Sequence, residues 1–529
     1  MPTLLAPERK TSSPSPPSPS PPSPPVSVAP TKRRFPAGRR VRVPAAVAIA
    51  AGTGGLAALA FPRGPITTGS ALTLLALGLA VGLAAGALLR SRWALLLGPV
   101  AFAAPFELRW LGLDSPVLDL PRFDTAYGIL AALLGRGFFF VVVLVPLMLG
   151  AALGAAYVRG RPARVSAWRR VRRAASAAVA LGVVALAVGI ALPASTPPIV
   201  GPDGEPVPGS IATLEQIELG GDEQWVTLRG WSEDNPVLLY LSGGPGQTDL
   251  PQVRAWWRDL EEDFTIVNWD ELGVGKSYPA LGPGEEVTLD RLVADTIELS
   301  EKLRARFDEE KIYLVGESWG SLLGVLVAEA RPDLFHAYVG SGQMVDILET
   351  DRLLYEDMLA YAERTGDDAA AERMHAYGPP PYDDPFANAY VMTYYEKLAG
   401  EYEFPAYLEE RAKEVNVGPW GVFGSEYTLV EKVNVLRGLV DYFTTMYPQA
   451  QGIDLREEVT RLEVPVYLVQ GRHELDARTA LVPEWLDALE APRKQLTWFE
   501  QAGHATAFEE FRRFHDLMTE TVLAETYGG

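Results

Sequence analysis

The hydrophobic positions of this chain follow two different patterns, and the change between them falls near residue 195. In the first part, apolar segments are separated by short connections, and four of the five are close to the roughly 20 residues that a helix needs to cross a bilayer. The third segment is shorter and reaches that length only by extending past Glu107 and Arg109. The segments are residues 44–62, 71–89, 93–106, 137–158 and 174–193. We therefore expect a transmembrane region of about five helices over residues 43–195.

Beyond residue 195, short runs of β-branched and aromatic residues alternate with segments of helical composition. This alternation predicts strands joined by helices in a mostly parallel sheet. From about residue 346 to residue 461 the pattern changes to helices rich in Tyr, Glu and Leu, and such an insertion between strands is typical of a lid. The predicted strands are residues 226–230, 236–241, 264–269, 312–315, 337–339, 464–470 and 495–499. We expect one α/β domain over residues 205–529, with its lid at about 346–461.

Charge separates the same two parts. Residues 1–195 contain 21 Lys+Arg and 5 Asp+Glu, whereas residues 196–529 contain 26 and 62. Residues 1–42 are rich in Pro and Ser and end in a basic cluster, which predicts a disordered basic tail and no signal peptide. The other basic residues concentrate at Arg90 and Arg92 and in residues 159–173. The positive-inside rule keeps these connections in the cytoplasm, so five spans place the α/β domain on the extracytoplasmic face of the cell membrane.

The segment from residue 312 to residue 330 contains a candidate nucleophile. An apolar strand leads into Gly316-Glu317-Ser318-Trp319-Gly320, and a helical segment follows. A serine on such a turn is pushed out of the sheet, and glycines two residues to either side remove the Cβ atoms that would clash in the bend. Ser318 is therefore the residue that we expect to act as the nucleophile.

Two later loops, each after a predicted strand, contain the partners that a serine needs. His504 can take the serine proton, and Glu474 can fix the tautomer of the imidazole and stabilise its cation. Asp476 is the alternative acid, but its position favours capping a helix that begins near Arg478. The chain order is thus nucleophile, acid and base.

Five short motifs resemble the prolyl iminopeptidase branch of the α/β-hydrolases. They are SGGPG (242–246), WDELGVGKS (269–277), GESWGS (316–321), GRHE (471–474) and AGH (502–504). The resemblance covers about residues 205–525 and none of the apolar part. It implies an α/β-hydrolase fold, a mostly parallel sheet with a helical lid, here preceded by an all-α transmembrane region.

The resemblance also implies roles for individual residues. Ser318 becomes the nucleophile and His504 the base, and the backbone N–H groups of Gly244 and Trp319 form the oxyanion hole. Two positions depart from the family pattern: Ser242 stands where a histidine is usual, and Glu474 stands where the acid is usually aspartate. The identity of the acid therefore stays open between Glu474 and its neighbours.

These observations predict a membrane-anchored serine hydrolase that removes an N-terminal residue from a peptide through an acyl-enzyme. An esterase of small or lipid-like esters would use the same groups, and an inactive fold that serves as a binding module is the third alternative. The chain has no cysteine, which excludes thiolate metal sites and cysteine nucleophiles, and no metal or cofactor is implied. A pI near 4.8 argues against nucleic acid as a partner.

The expected partners are a small peptide or ester substrate and the lipid bilayer. An aminopeptidase must recognise a free amine, and carboxylates that a blocked substrate would leave unpaired can do this. The lid is acid-rich, and the candidates in it are Glu349, Asp351, Glu356, Asp357, Glu396, Glu401 and Glu403.

Membrane topology can be tested with single cysteines because the natural chain contains none. We expect an impermeant thiol reagent on intact cells to label Gly529→Cys but neither Ser13→Cys nor Ala163→Cys. Permeabilised cells, in which all three sites should react, provide the control. Labelling of Ala163→Cys on intact cells, or protection of Gly529→Cys, would contradict five spans.

Overall fold

The computed structural model describes residues 37–111, 123, 125–159, 167–282, 284–382 and 384–527. Most of the tail predicted over residues 1–42 lies outside the described residues, as do residues 160–166 of the basic connection. The end of the predicted tail is described and belongs to the first helix, which begins at Ala37.

The N-terminal part is a bundle of apolar helices. Among the described residues, four helical stretches are long and apolar enough to cross a membrane, namely Val41–Ala60, Thr68–Leu89, Ala126–Arg159 and Ala167–Ala191. The third predicted segment is a helix of 17 residues that contains Pro99 and Pro105. The helices are α1 (Ala37–Ala60), α2 (Thr68–Leu89), α3 (Ala94–Trp110), α4 (Ala126–Ala132), α5 (Val145–Arg159) and α6 (Ala167–Ala191), with π-helical turns at Leu133–Gly137 and Phe140–Leu144.

Small residues allow α2 and α5 to approach closely. A Cβ atom at Gly82 or Gly86 would collide with the backbone of α5, and one at Gly150 or Gly154 would collide with the backbone of α2. Lipid gives helices no hydrophobic reason to associate, so close backbone packing of this kind is a main source of attraction between them. The small-residue composition of these segments therefore serves packing as well as hydrophobicity.

The connections of the bundle alternate between its two ends. Arg136, in the helical stretch before α5, donates to Glu107 near the end of α3, with 3.1 Å between Nε and Oε2. Gly64, which follows α1, lies against Phe139 of that stretch and against Arg437 of the α/β domain. The ends of α1 and α3 thus lie together on the side that faces the α/β domain. With 17 residues, α3 is not among the four described helices that are long enough to cross a membrane.

The second part is built on one eight-stranded sheet. Its strands are β1 (Ile211–Leu219), β2 (Asp222–Gly230), β3 (Val237–Leu241), β4 (Thr265–Asp270), β5 (Ile312–Glu317), β6 (Phe335–Ser341), β7 (Val466–Gly471) and β8 (Lys494–Phe499). Their order is β1-β2-β4-β3-β5-β6-β7-β8. Strands β3 to β8 are parallel, and β2 is antiparallel to β1 and β4. This architecture confirms the predicted fold class.

Burial explains which strands the sequence pattern revealed. Every residue of β3, β4, β5 and β7 is buried, as expected for parallel strands covered by helices on both faces. The edge strand β1 was not predicted, because polar side chains interrupt its apolar positions and only Ile211 and Leu219 are buried. An edge strand therefore escapes a search for continuous apolar runs.

The remaining helices cover the sheet and form the lid. Around the sheet lie α7 (Leu250–Trp256), α8 (Leu289–Phe307), α9 (Trp319–Ala330), α17 (Asp476–Thr479), α18 (Leu481–Ala488), α19 (Thr506–Glu509), α20 (Phe511–Asp516) and α21 (Ala524–Thr526). Between β6 and β7, and called the lid below, lie α10 (Ile347–Thr365), α11 (Asp368–Tyr377), α12 (Pro385–Ala399), α13 (Ala406–Val415), α14 (Leu429–Thr445), α15 (Tyr447–Ala450) and α16 (Leu455–Glu458).

The connection between α1 and α2 contacts lid helix α14. Arg63 is 4% exposed and forms an ion pair with Asp441 of α14, with 3.0 Å between Nη2 and Oδ2. The same Nη2 atom donates to the Tyr278 hydroxyl at 2.6 Å, in the loop after β4. Asn434 and Arg437 of α14 donate in turn to backbone carbonyls of this connection. The buried side chain of Arg63 therefore connects the helical bundle to the lid and to the loop after β4.

Asp441→Asn should lower the free energy of unfolding by about 3 kcal/mol, because it removes the Asp441 carboxylate from the buried charge of Arg63. The measurement is chemical unfolding of the full chain in detergent. Asp367→Asn is the matched control, since Asp367 pairs with Lys397 at the same 3.0 Å but in solvent, with Lys397 55% exposed. That change should cost less than about 1 kcal/mol. Equal effects of the two substitutions would contradict a structural role for the buried pair.

Candidate active site

The predicted site residues occupy loops that follow neighbouring strands. Ser318 follows β5, Glu474 follows β7, His504 follows β8 and Gly244 follows β3. Because these strands are parallel, their carboxyl ends lie along one edge of the sheet, and groups on the loops after them can converge. Ser318 comes from a central strand, so the other groups approach it from both sides.

Ser318 lies on a strained turn between β5 and α9. Its φ is 50° and its ψ is −114°, and its N–H donates to the carbonyl of Ser341 at 2.9 Å. A Cβ atom at Gly316 would collide with the backbone of Gly320, and one at Gly320 would collide with the carbonyl of Leu241. Such a conformation persists only where its surroundings enforce it, and here it places Ser318, which is 8% exposed, at the carboxyl-terminal edge of the sheet.

Ser318, His504 and Glu474 form a continuous chain of hydrogen bonds. The Ser318 Oγ atom lies 3.0 Å from His504 Nε2, and His504 Nδ1 is bonded to Glu474 Oε2. The other oxygen of Glu474 accepts from the Leu475 N–H at 2.7 Å and from the Tyr395 hydroxyl at 3.2 Å. The structure thus brings together all three side chains that the sequence singled out for nucleophile, base and acid.

Arg478 reaches the same imidazole, which the sequence did not indicate. Its Nη1 atom lies 2.7 Å from His504 Nε2. A guanidinium can only donate, so Nε2 must accept, and the ring proton lies on Nδ1 and is donated to Glu474. This is the tautomer that a general base requires, because the lone pair of Nε2 faces the serine hydroxyl.

The environment of Glu474 keeps its carboxylate ionised. Burial by itself raises the pKa of Glu474, but the charge and hydrogen bond of His504, with the charge of Arg478, lower it to about 2. An ionised carboxylate at this position orients the imidazole and stabilises its cation.

Asp476, the alternative acid, does not reach the imidazole. It is exposed and forms the first residue of α17, whereas the residue at the cap position is Leu475, which has no side-chain cap. The expectation that Asp476 caps this helix is therefore wrong. Its carboxylate lies in the first turn, where it can interact with the helix dipole only.

The backbone of the loop after β3 lies close to Ser318. A Cβ atom at Gly243 would lie 3.6 Å from the Cβ of Ser318, and Gly244 has a φ of 125°, which side chains strongly disfavour. Trp319 is the first residue of α9, so its N–H has no acceptor within that helix. These positions are compatible with the oxyanion hole that the resemblance implied at Gly244 and Trp319.

Two buried carboxylates lie near residues of the site, Glu271 beside the Trp319 indole and Asp351 close enough to act on Arg478 through its charge. Glu271, in the loop after β4, is 3% exposed, and its Oε2 atom accepts no hydrogen bond from the described residues. Burial raises the pKa of Glu271 to about 8, against the lowering effect of the neighbouring Trp319 indole. Asp351 of α10 is also buried and accepts from the Tyr447 hydroxyl at 2.6 Å.

The other acids named in the lid are in contact with solvent. Glu356, Asp357, Glu401 and Glu403 are exposed and Glu349 is partly exposed, while nothing is described of the Glu396 side chain. The acidic composition of the lid therefore did not show which of its acids are exposed to solvent and which are buried. In the described part of the chain, no cluster of three or more His, Asp and Glu residues could hold a metal ion.

The chain was compared in sequence with protein families and with individual proteins. A family model described as alpha/beta hydrolase fold matches residues 236–511. The probable aminopeptidase YbaC of Bacillus subtilis (strain 168) is 28% identical over 310 residues, which cover 59% of this chain and 96% of that protein. A probable proline iminopeptidase of Leptolyngbya boryana is 23% identical over 285 residues, covering 51% and 81%.

A similar solved structure is that of a proline iminopeptidase-related protein from Thermus thermophilus. It has a TM-score of 0.41 at 20% identity and covers 60% of this chain and 98% of its own. The two relatives in sequence named above are proline iminopeptidase-like proteins of low identity to this chain.

Glu474→Gln should reduce turnover of an aminoacyl or ester reporter by about 10³-fold or more, because an amide can donate to Nδ1 and favour the wrong tautomer. Asp476→Asn, which removes an exposed charge of similar size two residues away, should leave turnover within about threefold of the natural enzyme and cost less than about 1 kcal/mol of stability. Steady-state kinetics with thermal unfolding as a folding control measures both. The reverse ranking would reject Glu474 as the acid.

Proposed function

Because the chain belongs to the alpha/beta hydrolase fold family, we propose that it is a serine hydrolase, and specifically an aminopeptidase that releases the N-terminal residue of a small peptide. The single observation that carries this proposal is the chain of hydrogen bonds from Ser318 through His504 to Glu474. The proline iminopeptidase-like relatives support the choice of substrate class.

The proposed reaction proceeds through an acyl-enzyme. Ser318 Oγ attacks the carbonyl carbon of the first residue while its proton passes to His504 Nε2, and the N–H groups of Gly244 and Trp319 stabilise the oxyanion. The C–N bond then breaks, and the leaving nitrogen takes the proton from Nε2. A water molecule attacks the acyl-enzyme with His504 again as the base, which releases the first residue and restores Ser318.

Glu271 is the carboxylate that we propose for recognition of the substrate amine. It lies beside Trp319, directly after the nucleophile, and has a buried oxygen without a hydrogen bond from the described residues. A carboxyl group whose pKa is raised by burial becomes ionised when a cation binds next to it. An N-acetylated substrate would offer no such cation and would leave the group unpaired.

We further propose that the N-terminal helices anchor the enzyme in the cell membrane, with the hydrolase domain on the extracytoplasmic face. The four long apolar helices support the anchor, and the shorter helix α3 would supply the fifth span that this orientation needs. The basic residues of the tail and of the connection at 159–173 then lie on the cytoplasmic side, as the positive-inside rule requires.

Free-amine prolyl or other small apolar aminoacyl reporters should be cleaved, and their N-acetylated forms should react at least about tenfold more slowly, because one charged contact is lost. The measurement is kcat/KM for matched pairs with the full chain in detergent. Brisk hydrolysis of p-nitrophenyl esters without cleavage of any free-amine peptide reporter would replace the aminopeptidase by the esterase alternative.

Ser318→Ala is the control for this experiment. It should abolish labelling by a serine-directed fluorophosphonate and reduce turnover by about 10³-fold or more, with unchanged thermal unfolding. The inactive binding module predicts instead that the natural chain neither turns over a reporter nor reacts with the fluorophosphonate.

A further inference from the structure

Arg478 is a cation at the reacting centre to which the proposed mechanism gives no role. It is half-buried at the start of α17, and its guanidinium stacks on the ring of Tyr395 at 4.5 Å from the centroid. Its Nη1 atom donates to His504 Nε2, and its Nη2 atom faces the sulfur of Met392 at 3.9 Å. Nothing in the sequence pattern marked this residue except its position four residues after the acid.

The guanidinium has no carboxylate partner within ion-pair distance among the described residues. The two nearby acids are Glu474 and Asp351, and both act on Arg478 only through their charge. Glu474 is bonded to His504, Leu475 and Tyr395, and the two oxygens of Asp351 accept from Tyr447 and Gln451. A partly buried cation without a direct counter-ion is unfavourable, and an anionic group on a ligand would remove that cost.

The position of Arg478 indicates which part of a substrate it would meet. In the proposed reaction the leaving nitrogen must approach His504 Nε2, since it takes its proton from that atom. Groups attached to the leaving nitrogen therefore lie next to Nε2, where Nη1 of Arg478 already lies at 2.7 Å. When the leaving group is a free amino acid, its carboxylate carbon is two bonds from that nitrogen.

We propose that Arg478 binds the α-carboxylate of the leaving amino acid and makes the enzyme selective for dipeptides with two free ends. This inference rests on the proposed aminopeptidase function and adds the length of the substrate. Longer or amidated peptides present an uncharged carbonyl at the same place and leave the guanidinium without its counter-ion.

The contact between Arg478 and His504 also links substrate binding to the ability of His504 to accept the serine proton. Nε2 has one lone pair, and both the Ser318 hydroxyl and Arg478 point at it. A substrate carboxylate gives the guanidinium a stronger, charge-assisted acceptor and leaves the lone pair to Ser318. The carboxylate of a dipeptide would thus favour both its own binding and the transfer of the serine proton.

The test compares prolylglycine with prolylglycinamide on the full chain in detergent. The natural enzyme should prefer the free dipeptide by at least about tenfold in kcat/KM, the effect of one charge-assisted contact. Arg478→Gln should reduce this preference to about one, and Arg478→Lys should keep part of it, because a lysine retains the charge without the planar fork. Arg472→Gln is the matched control, since Arg472 is exposed, lies over Trp498 and pairs with Glu500, and its loss should leave the preference unchanged.

The remaining outcomes separate this inference from the function on which it rests. Equal cleavage of the two substrates by the natural enzyme overturns the inference and leaves the aminopeptidase in place. A loss of rate in Arg478→Gln that is the same for both substrates also overturns it, because a merely structural residue would behave in that way. Ester hydrolysis without cleavage of either peptide rejects the aminopeptidase and the inference together. Since the preference of the natural enzyme needs no variant, a misfolded substitution cannot conceal the answer.

Discussion

Ser318 is held in a left-handed conformation between a buried strand and a helix, and the other groups of the site are arranged around that turn. The turn closes because residues 316 and 320 have no side chains, so that backbone can approach backbone on both sides. The loop after β3 then comes within reach of Ser318 from one side, and the loop after β8 brings His504 from the other. A side chain at either glycine would displace the serine relative to both, which would be costly for the catalysis that we propose.

Two carboxyl groups, Glu474 and Glu271, have pKa values that their different surroundings shift in opposite directions. Glu474 is next to the imidazole and a guanidinium, which hold its pKa at about 2 in spite of burial. Burial raises the pKa of Glu271 to about 8, against the lowering effect of the neighbouring Trp319 indole. Environments that separate the pKa values of two acids in this way usually separate their roles. In the reaction that we propose, Glu474 supports the base throughout, and Glu271 becomes ionised when the amine of the substrate binds.

The apolar N-terminal part is also a structural partner of the site. Arg63 joins Asp441 of lid helix α14 to Tyr278 in the loop after β4, and Glu271 belongs to the same loop. The Tyr442 hydroxyl of α14 donates to the Leu272 carbonyl, directly after Glu271. The helical bundle therefore fixes one side of the lid and the loop below it, while lid helix α12, with Tyr395 and Met392, lies over His504 and Arg478.

The sequence by itself determined the class of fold, and it named the three side chains that the structure brings together in one chain of hydrogen bonds. Continuous apolar runs identified the buried parallel strands because they are covered on both faces, and the edge strand β1 escaped for the opposite reason. GxSxG between a strand and a helix indicated Ser318 because that turn imposes a local steric requirement, which a sequence displays directly. Glu474 and His504 could be named from their order and their loops, although choosing between Glu474 and Asp476 required the orientation of α17. Tertiary structure alone decided that Arg478 donates to the imidazole, that Glu271 is buried beside the indole of Trp319, and that Arg63 joins the two parts of the chain. These contacts connect residues far apart in sequence, and no local steric or hydrophobic pattern records which distant side chains will meet.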